Sequence, residues 1–516
     1  MKTIKLIFYV SIATIITWLI ISKTLNYLPK SKTNLLVDSQ TISRKIEPID
    51  CPASLNIPNG EHVECGYLTV PENRNNSQSR EIKVFFARVA AYSSATKTKP
   101  IVYLAGGPGE AGSEYLVKRM EQFFALRRER DLIVIDQRGT GLSQPKLQCN
   151  IDVPADLLPS TLKACLEDYQ KQTIDLTGYN TIQSAEDVKD LRQALNIEQW
   201  NLIGTSYGTR LAQETMRVDP DGIRSVVLNS TLPTFESFFS PSLAADQKRV
   251  FEQMFTDCTN DPQCDRAFPN LREVFLSIEG KMKDKVLKIS SDKKISTITF
   301  TEFISLLESQ ISHTATISRV PLLIWSMAES IEGNATASHL LVNFLAPQVK
   351  NVPEHREIKS IPVDKESQKA GGLNIAVICH EDWSFVEDLS KLERQISTYE
   401  PFARPQKLEL YKIACPMWNV GQANPYFKEK VISDIPTLLL IGDYDRLTAP
   451  VWTKEVAAGL SNSQVVRFRG TGHDVIDTNL CGLAISADFI ANPEAALPLT
   501  CVEGMKPPKF LTKLIP

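Results

Sequence analysis

The chain has almost no excess charge of either sign. Its 57 Lys and Arg stand against 60 Asp and Glu, a formal net charge of -3, so it lacks the basic surface that nucleic-acid binding calls for. No internal repeat or low-complexity block is visible, and 30 prolines with 23 glycines exclude a coiled coil or collagen. No C-x-x-C and no Cys/His cluster at metal spacing occurs among the cysteines, which argues against a zinc site or a redox pair. Histidine is scarce, with six in 516 residues, so any histidine-dependent chemistry has few places to sit. What is present is a folded composition, 43% hydrophobic and 23% charged, in a chain long enough for a large core plus an insertion or second domain.

The first thirty residues differ from the rest. Lys2 and Lys5 precede an uncharged run from Leu6 to Ile21, closed by Lys23. Such a run is about 24 Å long as a helix, slightly short of a bilayer core of about 30 Å. A basic start before an apolar stretch is the pattern of an export signal, yet no A-x-A-like cleavage site follows. An uncleaved signal anchor, giving membrane attachment through residues 6–21, and a cleaved signal peptide both stay open. The cysteine usage agrees with export. Ten cysteines fall along the chain as five near pairs, and sequential pairing is expected: Cys51–Cys65, Cys149–Cys165, Cys258–Cys264, Cys379–Cys415 and Cys481–Cys501. Asn75, Asn229 and Asn334 begin N-x-Ser/Thr sequons.

Residues 31–50 are polar and read as a linker. From residue 51 to about 235, strand and helix patterns alternate, with strands at Ile82–Val89, Ile101–Leu104, Leu132–Ile135, Trp200–Ile203 and Val226–Leu228. Ala185–Leu195 and Thr209–Met216 have helical spacing. This alternation predicts a largely parallel sheet flanked by helices, an α/β fold. Residues 236–430 change rhythm and read as a mostly helical insertion, broken by a Thr- and Ile-rich stretch near 295–300. Buried-strand patterns return at Thr437–Ile441 and Val465–Phe468, so residues 431–516 complete the core.

The sharpest motif is Gly204-Thr205-Ser206-Tyr207-Gly208, a G-x-S-x-G between a strand and a helix. A serine at such a turn projects its Oγ above the sheet edge, and the glycines let helix and strand approach closely. A serine hydroxyl needs a base. Among the six histidines, His473 alone follows a buried strand within a glycine-flanked loop. The acid that orients it belongs at the end of the preceding strand, where Asp443 and Asp445 both stand. The chain order serine, acid, histidine is that of the α/β-hydrolase arrangement, unlike the chymotrypsin or subtilisin order. Oxyanion donors are expected from the Tyr207 backbone and from the loop Gly106-Gly107-Pro108-Gly109.

Together, Ala105-Gly106-Gly107-Pro108-Gly109, Asp136-Gln137-Arg138-Gly139-Thr140-Gly141-Leu142-Ser143 and Gly204-Thr205-Ser206-Tyr207-Gly208-Thr209 resemble the proline iminopeptidase family of serine exopeptidases. The chain is most similar to the exported tripeptidyl aminopeptidase branch, over roughly residues 50–505, and its C-terminal part is like that branch through Gly442-Asp443-Tyr444-Asp445, Gly472-His473, Cys481 and Cys501. The resemblance implies an α/β-hydrolase fold with a helical cap, Asp445 as the acid, Gly107 as the second oxyanion donor, and removal of residues from free peptide N-termini without metal or cofactor. Ala105 departs from the pattern, because proline iminopeptidases usually carry histidine there; this counts against proline specificity more than against hydrolysis.

A buried carboxylate is expected to hold the substrate's α-ammonium, since an unpaired buried charge is costly. Glu381 and Asp382 are candidates, as are Glu110 and Glu114 more weakly, while Arg138 is expected to hold loops together. The leading expectation is therefore an exported serine aminopeptidase acting on peptides. A hydrolase of carboxylic esters or other small acyl compounds is the alternative, and an inactive surface binding protein is a third reading.

Overall fold

The computed structural model describes residues 45–93, 98–120, 122–154, 156–283, 285–291, 294–345, 370–403 and 407–513. Arg44–Pro516 forms one compact unit. The apolar run at 6–21 lies outside the described residues, and with it the choice between anchor and cleaved signal. Among the described residues no helix is long and apolar enough to cross a membrane.

Among the described residues there are eleven strands: β1 (Lys45–Ile49), β2 (Val63–Pro71), β3 (Glu81–Val89), β4 (Ile101–Leu104), β5 (Leu132–Ile135), β6 (Trp200–Thr205), β7 (Ile223–Asn229), β8 (Val286–Ser291), β9 (Lys294–Thr299), β10 (Thr437–Gly442) and β11 (Ser463–Phe468). Nine of them form one sheet in the order β1-β2-β3-β5-β4-β6-β7-β10-β11. The β1–β2, β2–β3 and β3–β5 pairs are antiparallel, and the rest are parallel. β4, β5, β6 and β10 are buried along their whole length. Their unbroken apolar runs follow from this, because helices cover both faces of a parallel sheet.

The expected linker over 31–50 is too long at its C-terminal end, since Lys45–Ile49 is an edge strand. Its polar composition belongs to that edge position: Glu47 pairs with Lys83 at 2.6 Å, while Ile46 and Ile49 pack onto the core. β2 had no counterpart in the sequence pattern. The Thr- and Ile-rich stretch near 295–300 is the second strand of a separate β8–β9 hairpin.

Between β7 and β10 the chain runs mainly through helices, among them Pro241–Asn260, Leu271–Met282, Phe300–Ser312, Val320–Ile331, Gly371–Glu381 and Lys407–Trp418. Thr299 and Glu302 close a reciprocal capping box at the start of Phe300–Ser312. This segment has its own core, with Phe251, Phe255, Phe275, Leu307 and Leu323 buried together.

Strand order fixes where a site can form. β4 is followed by β5 on one side and β6 on the other, so the connections diverge at the C-terminal ends of β4 and β6. In open parallel sheets such a switch point leaves a crevice beyond the strand ends.

Candidate active site

That crevice receives the loops singled out in the sequence. β6 ends at Thr205, and Ser206 turns directly into the helix Tyr207–Val218 with φ 56° and ψ -123°. A positive φ is costly for a non-glycine residue and holds only where the surroundings enforce it. Here the glycines do so. A Cβ on Gly204 would lie 2.3 Å from the Gly208 carbonyl oxygen, and one on Gly208 would lie 2.0 Å from that of Leu104. Ser206 is half-buried, in contrast to its fully buried neighbours Thr205 and Tyr207. The Tyr207 N–H is the first of its helix, so no intrahelical acceptor takes it. Its buried phenol is anchored 2.7 Å from Thr181 Oγ1.

The loop after β4 packs against this turn. A Cβ on Gly106 would lie 3.2 Å from Ser206 Cβ and 3.1 Å from Glu110 Oε2. Gly107 is half-buried at φ 107°, a backbone state that favours glycine. Gln137 Nε2 donates to the Ala105 carbonyl at 2.9 Å and steadies the loop from behind. Asp136 accepts from Ser113 N–H at 2.7 Å and Leu142 N–H at 2.7 Å. Arg138 is fully buried on Asp187 and on the carbonyls of Glu72 and Gly178, so it ties loops together.

After β10 comes the acid expected from the sequence. Asp445 is fully buried and accepts from Leu447 N–H at 2.9 Å, Thr448 N–H at 3.0 Å and Thr448 Oγ1 at 2.7 Å. His473, after β11, sets Nδ1 2.9 Å from Asp445 Oδ2 and 3.0 Å from Oδ1. Burial pushes the Asp445 carboxyl up, but the His473 imidazole and the Thr448 donors outweigh that and hold it below the usual value. For His473, burial pulls the other way, and the charges of Asp445, Asp474 and Glu110 together lift it above 6.5. Asp443, the other acid of this loop, instead accepts from Gly470 N–H at 2.7 Å. With Nδ1 turned to Asp445, the imidazole presents Nε2 on its far side.

One residue that the sequence marked only as a sequon start joins these loops. Asn229, at the end of β7, is fully buried. Its carbonyl accepts from Ser206 N–H at 2.9 Å, and its amide reaches Asp474, Val475 and Ile476 beyond the histidine. That burial excludes Asn229 from glycosylation in the folded chain, whereas Asn75 and Asn334 are exposed.

The helical insertion touches the loops after β4, β10 and β11. Ser312 carbonyl accepts from His473 N–H at 2.9 Å, and Thr314 Oγ1 accepts from Gly472 N–H at 3.0 Å. Ala370 N–H donates to the Gly109 carbonyl at 2.9 Å, and Asn374 Nδ2 donates to that of Pro108 at 3.1 Å. Tyr444 donates to Asp257 at 2.7 Å.

Glu381 and Asp382, candidates for an ammonium site, are engaged inside the protein. Glu381 accepts from Thr181 N–H at 2.6 Å and Oγ1 at 2.8 Å. Asp382 lies 3.2 Å from Arg210 and 2.8 Å from Lys428. They end a helix and are both buried, because Arg210 on the helix after Ser206 draws them in. Glu110 is the candidate that lies beside Ser206, with Tyr115 Oη donating to it at 3.0 Å. Cavities of about 670 Å³ beside Met282 and Phe300 and about 420 Å³ beside Asp382 and Lys428 are lined by none of Ser206, Asp445 and His473.

The described cysteines are bonded as Cys51–Cys65, Cys149–Cys165, Cys258–Cys264, Cys379–Cys415 and Cys481–Cys501.

Known proteins place this arrangement in context. The chain is 25% identical over 232 residues to a tripeptidyl aminopeptidase of Streptomyces lividans, covering 40% of this chain and 42% of that protein. It is 26% identical over 247 residues to the serine protease Hip1 of Mycobacterium bovis, covering 43% and 47%. A proline iminopeptidase of Heyndrickxia coagulans is 26% identical over 158 residues, covering 31% and 42%. The matched regions thus span less than half the length of these relatives. The solved structure of a proline iminopeptidase from Mycobacterium smegmatis aligns with 83% of this chain and 98% of its own, at 15% identity and a TM-score of 0.38. The profile of the alpha/beta hydrolase fold family matches residues 99–480, most of the chain, and the chain belongs to that family.

Proposed function

We propose that the protein is an exported serine aminopeptidase that cleaves peptides from a free N-terminus through an acyl-enzyme. The observation that carries the catalytic part is the pairing of His473 Nδ1 with buried Asp445, in loops linked to the Ser206 turn. Ser206 Oγ attacks the substrate carbonyl as His473 Nε2 takes its proton. Asp445 holds the imidazole in the tautomer with Nε2 unprotonated, then stabilises the imidazolium. The tetrahedral oxyanion is received by the N–H groups of Tyr207 and Gly107. His473 returns its proton to the leaving amine, and water, deprotonated by the same imidazole, releases the acyl group.

Residues 236–430 serve as the cap that sets which peptide ends enter. Peptide specificity is supported by the motif resemblance and by the peptidase names of the relatives. Export is supported by the five disulfides, which persist in oxidising compartments.

The purified protein, beside Ser206→Ala, is tested on free and N-blocked mono-, di- and tripeptide chromogenic amides and on a short-chain ester. Cleavage of free amides alone, lost in the variant, is the expected result and gives the step length. Ester turnover without amide turnover would replace the peptidase with a small-acyl hydrolase. Silence on all substrates would favour a binding protein.

A further inference from the structure

We infer that Asn229 is a positioning residue that sets the register of the histidine loop against the nucleophile turn; the inference rests on the triad reading above. β7 lies between the strand that leads to Ser206 and the strand that leads to Asp445, and Asn229 pairs with Thr205 on one side and Leu440 on the other. It therefore ends at the centre of the site. Its carbonyl fixes the Ser206 N–H at 2.9 Å. Its side-chain oxygen accepts from the N–H groups of Val475 at 3.0 Å and Ile476 at 3.3 Å, the start of the turn after the histidine. Its Nδ2 donates to Asp474 Oδ1 at 2.6 Å and to Thr205 Oγ1 at 3.1 Å.

All the polar capacity of this fully buried amide is thus spent on two loops that contribute different reacting groups. A residue that only filled space between β6 and β10 would not need this pattern. Asp474 is itself constrained, at φ 66°, with its N–H on Ser230 Oγ at 2.9 Å and its carboxylate 3.2 Å from Arg119. The amide–carboxylate bond between Asn229 and Asp474 therefore joins the Ser230 contact in linking a rigid strand end to the residue adjoining His473. Misplacement of the imidazole by about 1 Å costs on the order of a hundredfold in rate.

The test uses the full chain with Asn229→Ala, Asn229→Asp and the exchange Asn229→Asp/Asp474→Asn. Two probes are read across pH well below each variant's Tm: the rate of Ser206 labelling by a fluorophosphonate, and hydrolysis of p-nitrophenyl butyrate. Asn229→Asp keeps the acceptor for Val475 and Ile476 but sets a second carboxylate against Asp474. His473 then faces Asp445, Asp474 and Glu110 as before, with Arg119 behind Asp474, plus one added negative charge.

The expected result is a loss of about a hundredfold in labelling and kcat for Asn229→Asp and Asn229→Ala. KM should change little, and the acid limb of Asn229→Asp should move to higher pH. The exchange variant restores one donor, one acceptor and the original charge, and should recover most of the rate. If the variants lower Tm while labelling, kcat and the acid limb match the unsubstituted protein, Asn229 is scaffold only and the inference is overturned. Labelling of the unsubstituted protein at a residue other than Ser206, or equally in Ser206→Ala, would instead remove the triad reading on which the inference stands.

Discussion

His473 is subject to opposing influences. Burial favours the neutral ring, while the Asp445 carboxylate favours the cation, with Asp474 and Glu110 adding to it; the cation gains, and the group titrates above 6.5. In the proposed mechanism His473 must be neutral to accept the Ser206 proton, so the acid limb of kcat/KM for a chromogenic substrate should lie above pH 6.5. Asp445→Asn removes the tautomer control and should cost about 10⁴-fold in kcat at neutral pH, as the equivalent change does in chymotrypsin-type triads. Stability follows a different window. A raised histidine pKa contributes stability that is complete below the unfolded value of 6.5 and fades as pH rises through the folded value. A depressed aspartate pKa contributes stability that is present above 3.8 and fades as pH falls through its folded value. The Tm gap between the unsubstituted protein and Asp445→Asn should therefore be widest between pH 3.8 and 6.5 and should narrow at alkaline pH. A gap that widened above pH 8 would contradict this assignment of charges.

At the scale of the elements, the nucleophile turn depends on how closely a helix can approach a strand. A Cβ on Gly208 would meet the Leu104 carbonyl oxygen at 2.0 Å, and backbone cannot step aside as a side chain can. Gly208→Ala should lower stability by about 1–3 kcal/mol in urea unfolding and also slow fluorophosphonate labelling of Ser206, because relief of the clash moves the turn. The glycine spacing of this turn was legible in the sequence because the constraint is local: two glycines, one serine, one strand and one helix. The buried strands β4, β5, β6 and β10 were legible for the same reason, as short apolar runs. β1 was not, because its exposed Lys45 and half-buried Glu47 look like a polar tail until β2 is alongside. The role of Asn229 was hidden too, because three of its side-chain partners lie 245 to 247 residues away. The pairing of Asp382 with Arg210 inside the protein was hidden as well, since the two are 172 residues apart in sequence.

For the molecule as a whole, the insertion belongs to the frame of the site. Helix Gly371–Glu381 carries Asn374, which holds the Pro108 carbonyl and receives a hydrogen bond from Tyr411 on helix Lys407–Trp418. The Cys379–Cys415 disulfide joins the same two helices. Its sequence separation of 36 corresponds to about 4 kcal/mol of loop-closure stabilisation. Cys51–Cys65, with a separation of 14, corresponds to about 3 kcal/mol but joins the antiparallel edge of the sheet, away from the crevice. The two bonds should therefore have similar effects on stability and different effects on chemistry. Cys51→Ala/Cys65→Ala should lower Tm with Ser206 labelling unchanged at low temperature. Cys379→Ala/Cys415→Ala should lower Tm comparably and also slow labelling, because the loop carrying Gly107 loses part of its support from the insertion. Equal labelling rates in the two double variants would mean that the insertion contacts the Pro108 loop without holding it.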